Sequence, residues 1–280
     1  MNGDVVVWQL NYKKGEGKPY FHPVALTDGT QLTWLRPPDH PWHRGIWFSW
    51  KYINSLNYWE EDRKTGLSEG RTELHTVKVH LDKNYSARIE MTLSYHPPNE
   101  PPVLTEKRSL TISTPDKNGC YYIDWKSTFT AGCKDVLLDR TPPVDSKGRK
   151  RSGGYAGLSV RIAKDTSNWQ VVDSAGRKGM QANAQNANWL DFTFDTPDSK
   201  SAGIAIFDHP QNLRHPTPWY VIMRENTPFA YFSPAALYNK SYTLPAKNTL
   251  TLRYRILIHP GQTDKALLEN QWKAFLQQKN

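Results

Sequence analysis

Apolar and polar residues alternate with period two along most of this chain. Ala87, Ile89, Met91, Leu93 and Tyr95 fall on one side of a stretch that has Arg88, Glu90 and Ser94 between them. Tyr121, Ile123, Trp125, Ser127 and Phe129 form a second row; Leu250, Leu252, Tyr254, Ile256 and Ile258 form a third, opposite Arg253 and Arg255. A strand sends successive side chains to opposite faces, so this pattern predicts half-buried antiparallel strands rather than the continuous apolar runs of a parallel sheet. Further strands are expected near residues 4–11, 20–26, 45–51, 72–80, 104–113, 155–162, 168–173, 188–194, 202–207, 218–224 and 228–232. Asp28-Gly29, Pro97-Pro98, Asn118-Gly119 and Pro197-Asp198 supply turns between them. On the 45–51 strand, Trp47 and Phe48 should lie on opposite faces.

The period changes only near the end. After Gly261, Thr263 or Asp264 can cap a helix whose apolar stripe is Leu267, Leu268, Trp272, Phe275 and Leu276. More than ten strands and one terminal helix predict an all-β fold, an antiparallel β-sandwich with a C-terminal helix. No repeat, low-complexity segment or linker divides the chain, so residues 1–280 are read as one domain. Residues 141–153 are the longest irregular loop, placed at a sandwich rim or serving as a lid.

Hydrophobic content of 38% is low, but 11 Trp and 14 Tyr restore buried area per residue. No stretch approaches the ~20 apolar residues that cross a bilayer, so no membrane insertion is expected. Residues 1–9 lack the basic start and apolar run of a signal peptide. The expected location is periplasmic or secreted if such a peptide has been removed, and otherwise cytoplasmic. Cys120 and Cys133 are close enough in sequence to pair across a hairpin, yet two cysteines make no disulfide framework. The net charge of +9 favours polyanions in general. It is dispersed, with one short cluster at Lys147 to Arg151, and no basic stripe or nucleic-acid module accompanies it; no nucleic-acid partner is expected. Oligomeric state is not encoded in any visible pattern.

Chemistry concentrates in two stretches. Asp39-His40-Pro41-Trp42-His43-Arg44 packs a carboxylate, two imidazoles and a guanidinium into six residues, followed by Trp47, Trp50, Tyr58 and Trp59. Asp208-His209-Pro210 repeats the triplet and is followed by Asn212, Arg214 and His215. Packing rarely requires so many polar groups together, and the two stretches are expected to converge on one pocket. In it His40, His43 and His209 are candidate acid–base catalysts near neutral pH, with Asp39 fixing a tautomer and Arg44 holding a carboxylate or a developing enolate. Trp42 and Trp59 offer faces for a sugar ring, while His22, Tyr155, Arg161, Asn212, Arg214 and His215 are candidate substrate contacts. Glycosidases need two facing carboxylates, and no spacing singles out a pair among Glu60, Glu61, Asp62 and Glu106; Glu225, beside Arg224, is the best acid candidate. No cofactor motif is visible. A divalent metal on His40 and His43 with Asp39, His22, His209 or His215 is the competing reading.

Several motifs resemble a bacterial family labelled "methane oxygenase PmoA-like". They are Pro19-Tyr20-Phe21-His22-Pro23, the run from Asp39 to Gly45, Trp47 through Asn57-Tyr58-Trp59, and Gly153 to Leu158 with Arg161. Phe207 to Pro210 with Asn212 and Arg214, and Tyr254 to His259 with Gly261, complete the set, which spans nearly the whole chain. Many members read Asp-His-Pro-His-His where this chain has Trp42, so a site using three histidines in that loop would have one fewer. A membrane methane oxygenase subunit needs transmembrane helices, which this sequence lacks. The resemblance implies instead a galactose-mutarotase-like supersandwich with a sugar-binding concave face. The expected function is a carbohydrate-active enzyme, lyase- or epimerase-like, acting on a sugar or glycan by His/Arg-assisted acid–base chemistry; the basic charge is compatible with an acidic sugar. The alternatives are a non-catalytic glycan-binding protein and a metal-dependent glycan hydrolase.

Overall fold

The computed structural model describes residues 5–82 and 84–278, so residue 4 of the first expected strand lies outside the described residues. Three antiparallel sheets make up the fold. The largest has eight strands in the spatial order Ser167–Asp173, Trp189–Asp195, Ser201–Asp208, Thr249–Pro260, Tyr121–Ala131, Leu104–Ile112, Ala87–His96 and Arg71–Leu81. The second has six, ordered Trp8–Asn11, Tyr20–Val24, Ile46–Ser49, Gly157–Arg161, Phe229–Pro234 and Trp219–Arg224. A four-stranded sheet of Tyr242–Leu244, Val136–Asp139, Tyr52–Ile53 and Leu56–Asn57 stands beside them. No helix among the described residues is long and apolar enough to cross a membrane.

The two large sheets pack face to face. Phe48 lies 5.3 Å from Phe129, Phe21 6.2 Å from Trp125 and Phe232 5.5 Å from Phe192, each pair reaching from one sheet to the other. The alternating rows expected on strands 87–96, 121–131 and 249–260 line this core, with Ile89, Met91, Ile123, Leu252 and Ile256 at most 2% exposed. Burial of such side chains stabilises a fold by roughly 1.5–3 kcal/mol each.

The six-stranded sheet departs from simple alternation. Ile46–Ser49 and Gly157–Arg161 are buried at every position. Phe48, Leu158 and Val160 face the core, whereas Trp47 joins Tyr20, Trp59, Tyr220 and Tyr231 in a separate aromatic layer on the outer side. Trp47 and Phe48 thus divide as the pleat requires. Loops cover the outer face, so an antiparallel sheet here is buried on both sides.

The C-terminal helix spans Lys265–Leu276 and is capped by the Asp264 side chain, which accepts from the Leu267 backbone N–H at 2.7 Å. Leu268 and Phe275 pack on Trp189, Phe207 and Leu257. Leu267, expected in the buried stripe, faces outward at 45% exposure. The cysteine pairing also fails. Cys120 and Cys133 are free and sit beyond opposite ends of the strand Tyr121–Ala131, whose rise of about 3.3 Å per residue keeps them far beyond bonding distance. The 141–153 loop is ordered by its own hydrogen bonds: Asp145 accepts from the backbones of Lys147 and Arg149, and Arg151 N–H donates to Pro143 O.

Candidate functional site: an aromatic cavity on the six-stranded sheet

The loop before Ile46 is held against the sheet by its backbone. Trp34 N–H donates to Arg161 O at 3.0 Å, Gly45 N–H to Trp34 O at 3.0 Å, and Arg161 N–H to Gly45 O at 2.8 Å. Gly45 has φ +70°, and a Cβ there would lie 2.5 Å from Phe21 O, so a side chain at the loop's exit is excluded. Within the loop, His43 N–H donates to His40 O at 2.9 Å and Arg36 N–H to His43 O at 2.8 Å. These turns bring the His40 and His43 rings to a centroid distance of 4.7 Å.

His43 is 3% exposed and enclosed by Trp47, Tyr231 and Trp59 at 4.9, 5.3 and 6.0 Å. Its Nδ1 is buried without a hydrogen-bond partner, and so is Nε1 of Trp42. Burial pushes the His43 imidazole well below its ordinary range, reinforced by the positive charges of His40, Arg161 and Lys18. His43 is therefore neutral at pH 7. His40 differs: its Nδ1 lies 2.8 Å from Asp39 Oδ2. Both Asp39 oxygens also accept from Nη2 of Arg161, at 3.1 and 3.0 Å. Burial disfavours the Asp39 carboxylate, but the His40 hydrogen bond and the Arg161 guanidinium prevail and hold it below its usual pKa. Arg161 itself is fully buried, clamped 4.0 Å from the Phe229 ring and 5.1 Å from that of Trp34.

These residues open onto a cavity of about 120 Å³. His40, Trp42 and His43 form one wall, and Trp59, Glu60 and Tyr155 another; Tyr220, Ile222, Phe229 and Tyr231 line its sheet side, with Ser152 and Arg224 at the remaining edge. The second wall has its own scaffold. Asn57 Oδ1 accepts from the backbone N–H of Trp59 at 2.8 Å and its Nδ2 donates to Glu60 Oε2 at 2.7 Å. Lys51, 3% exposed, donates to both oxygens of Glu60 and lies over the ring of Tyr155. Burial opposes ionisation of Glu60, but Lys51 and Asn57 overcome it and keep the carboxylate charged. Burial raises Tyr155 and Tyr231, which leaves both phenols protonated.

The chain belongs to the family of unknown function DUF6807. The match covers residues 1–273. No curated protein matches it.

Of the side chains expected in the site, His40, Trp42, His43, Trp59 and Tyr155 line the cavity. Asp39 and Arg161 stand behind His40. Arg44 does not face the cavity: it is fully buried, with Nε and Nη2 on Glu61 Oε1 at 3.1 and 2.8 Å and Nη1 on Lys18 O at 3.1 Å. Neutralised by Glu61, it is not free for a substrate carboxylate. In the same network, burial lowers the Lys18 ammonium to about 8. His22 is half-buried and bonds Thr33 Oγ1 at 3.0 Å.

The second stretch lies elsewhere. Asp208, fully buried, accepts from Asn212 Nδ2 at 2.7 Å and Thr217 N–H at 3.2 Å, and its Oδ2 lies 2.8 Å from His215 Nδ1. His215 stacks on Trp272 of the helix, and His209 meets Phe275 edge-on at 5.5 Å. Arg214 donates to the carbonyls of Ala236, Lys240 and Ser241. His209 lines a different cavity, on the eight-stranded sheet, so the two stretches do not share a pocket. Glu225 is exposed beyond Trp219–Arg224 and lines neither cavity. Glu60 is the acidic side chain that does. Its signal in the sequence was the Asn57-x-x-Glu60 spacing, an Asn positioned to fold the segment back on itself. No group of three or more His, Cys, Asp or Glu side chains among the described residues is arranged around a common metal position.

Proposed function

We propose that this protein is a carbohydrate-active enzyme that removes a proton from carbon in an acidic sugar, leading to β-elimination or epimerisation. Flat apolar walls at Trp42, Trp59 and Tyr155 suit a pyranose ring, and a few polar groups among them fix its orientation. The observation that carries the reading is the pair of histidines with rings 4.7 Å apart in unlike surroundings, one on a carboxylate and the other buried among aromatic rings. His40, backed by Asp39, is the base: donation from its Nδ1–H to the carboxylate leaves Nε2 as the acceptor, and Asp39 stabilises the imidazolium formed. His43, kept neutral by burial, is the electrophile. Its ring N–H donates to the enolate oxygen without itself ionising, the part a depressed imidazole plays best. Arg224 at the rim takes the substrate carboxylate in place of Arg44. In an elimination, His40 takes the proton from carbon and, as the imidazolium, passes it to the departing oxygen in the same turnover, which restores the base.

The test is hydrogen exchange. A panel of uronic acids, uronate oligomers and keto-sugars is incubated with the protein in D2O and followed by mass spectrometry. Wild type is expected to incorporate deuterium at carbon or to yield an unsaturated product, and His40→Ala to do neither while still binding. A wild-type protein that binds such sugars without exchange or product is a binding module, and the enzymatic reading falls.

A further inference from the structure

The outer face of the eight-stranded sheet contrasts with the aromatic layer on the six-stranded one. Its register sets Lys78 opposite Glu90, Glu90 opposite Ser109, Ser109 opposite Lys126 and Lys126 opposite Arg253, one row across five neighbouring strands. The adjacent row reads Thr76, Thr92, Lys107, Thr128 and Thr251. Two cavities of about 560 and 240 Å³ lie along these rows and share Ser109 and Lys126 in their walls, which makes them one trough. It ends against His209 and the helix residue Phe275.

Among the described residues Lys78, Lys107 and Lys126 form no ion pair. Lys126 stands directly across from Arg253, and like charges in that position destabilise a sheet. Arg253 donates one Nη1 bond to Gln211 at 2.5 Å, while its buried Nε has no acceptor. On the acidic side, Asp124 is already held by Arg255 at 2.6 and 2.8 Å, and Glu90, across from Lys78, is the trough carboxylate that forms no ion pair among the described residues. A sheet face that sets Lys78, Lys107, Lys126 and Arg253 among hydroxyls, with Glu90 as the one carboxylate in these two rows, has the excess positive charge to meet an extended anion.

We propose that this trough is a binding track for an acidic polysaccharide, with carboxylate or sulfate groups on Lys78, Lys107, Lys126 and Arg253 and sugar hydroxyls on the Thr and Ser side chains. The anionic character follows from the charges; the choice of a glycan rests on the function proposed above. A single-stranded nucleic acid fits less well, because it binds by stacking bases on aromatic platforms. Trp125, Tyr254 and Phe275 at the trough are all buried, which leaves no aromatic platform beyond the half-buried His209 imidazole.

The experiment measures binding of polygalacturonate, a neutral dextran and single-stranded DNA at several salt concentrations, using wild type, the double variant Lys107→Glu/Lys126→Glu, Lys78→Glu and His40→Ala. The track predicts polygalacturonate binding that weakens with salt, falls at least tenfold in the double variant and less in Lys78→Glu, and is unchanged in His40→Ala. Thermal midpoints of the variants, in which Lys78 and Lys107 are exposed and Lys126 half-buried, check that the fold is intact. Polygalacturonate bound equally by the double variant, or not bound by wild type, overturns the track. DNA bound more tightly than polygalacturonate, and lost in the same variant, overturns the glycan. Loss of proton exchange in the His40 cavity leaves these readings untouched, so the two proposals fail separately.

Discussion

Asp39-His40-Pro41 and Asp208-His209-Pro210 are one tripeptide in two settings. In the first, the carboxylate lies at the surface, turns back on its neighbouring histidine and accepts from a buried arginine on both oxygens. In the second, the carboxylate is fully buried and ties together His215, Asn212 and the Thr217 backbone, while its own neighbour His209 turns away to Phe275. The first aspartate arms a side chain that faces a cavity. The second closes a loop. Burial of the carboxylate makes the difference: an interior Asp must satisfy its oxygens with whatever surrounds it, and Asp39, at the surface, is free to serve His40.

The largest expected effect breaks the second setting. Asp208→Ala takes the shared acceptor from His215, Asn212 and the Thr217 N–H in the interior and should destabilise the protein by about 3–5 kcal/mol, read from the urea midpoint. Asp39→Ala should cost less than that, about 1–3 kcal/mol, because the buried Arg161 guanidinium loses its carboxylate and keeps only Pro228 O, yet it should remove most proton exchange. Equal destabilisation by the two would erase the contrast. Next, His40→Ala should lower exchange by about 10²–10⁴-fold, whereas His209→Ala should leave it unaltered; loss in both would put the two stretches back in one site. Smaller again, Trp42→Ala should weaken sugar binding roughly tenfold, about 1.4 kcal/mol, with little change in thermal midpoint, because the indole is only half-buried. A large fall in midpoint would make it a core residue.

The smallest effect is in the pH dependence. The folded-state pKa of His43 is depressed, so below about pH 6.5 the unfolded chain binds a proton that the folded protein does not. The stability this contributes is present above pH 6.5 and is lost as pH falls from there toward the folded pKa. His43→Gln should flatten the stability curve in that window. His259 acts in reverse: burial opposes its charge, but Asp191 at 3.1 Å outweighs burial and raises its pKa. Its contribution is complete below pH 6.5 and fades as pH rises through the raised value. A His43→Gln protein with the wild-type slope below pH 6.5 would show that this imidazole is not held neutral.

Much of the fold was legible because period two persists in long strands. Ala87–His96, Tyr121–Ala131 and Thr249–Pro260 fall where the alternation put them. The four-stranded sheet was not legible, since strands of two residues such as Tyr52–Ile53 have no period to detect. In the site, the clustering of His40, Trp42 and His43 was a sound pointer because a single loop supplies all three. Arg44 misled. One residue further along, the chain has turned into the sheet edge, and the guanidinium reaches Glu61 instead of the cavity. Glu60 and Glu61 could not be told apart in sequence, although the backbone sends one to the cavity and the other to Arg44. Composition alone could not assign that alternation.

The central claim is that the cavity between His40, His43 and Glu60 is where the sugar binds and reacts. A crystal structure of His40→Ala soaked with a uronic acid tests it most directly. The expected result is a pyranose ring packed on Trp42 or Trp59, with an oxygen within hydrogen-bond distance of the His43 ring and the carboxylate toward Arg224. A sugar found only on the outer face of the eight-stranded sheet, with the His43 cavity closed to it, would contradict the account.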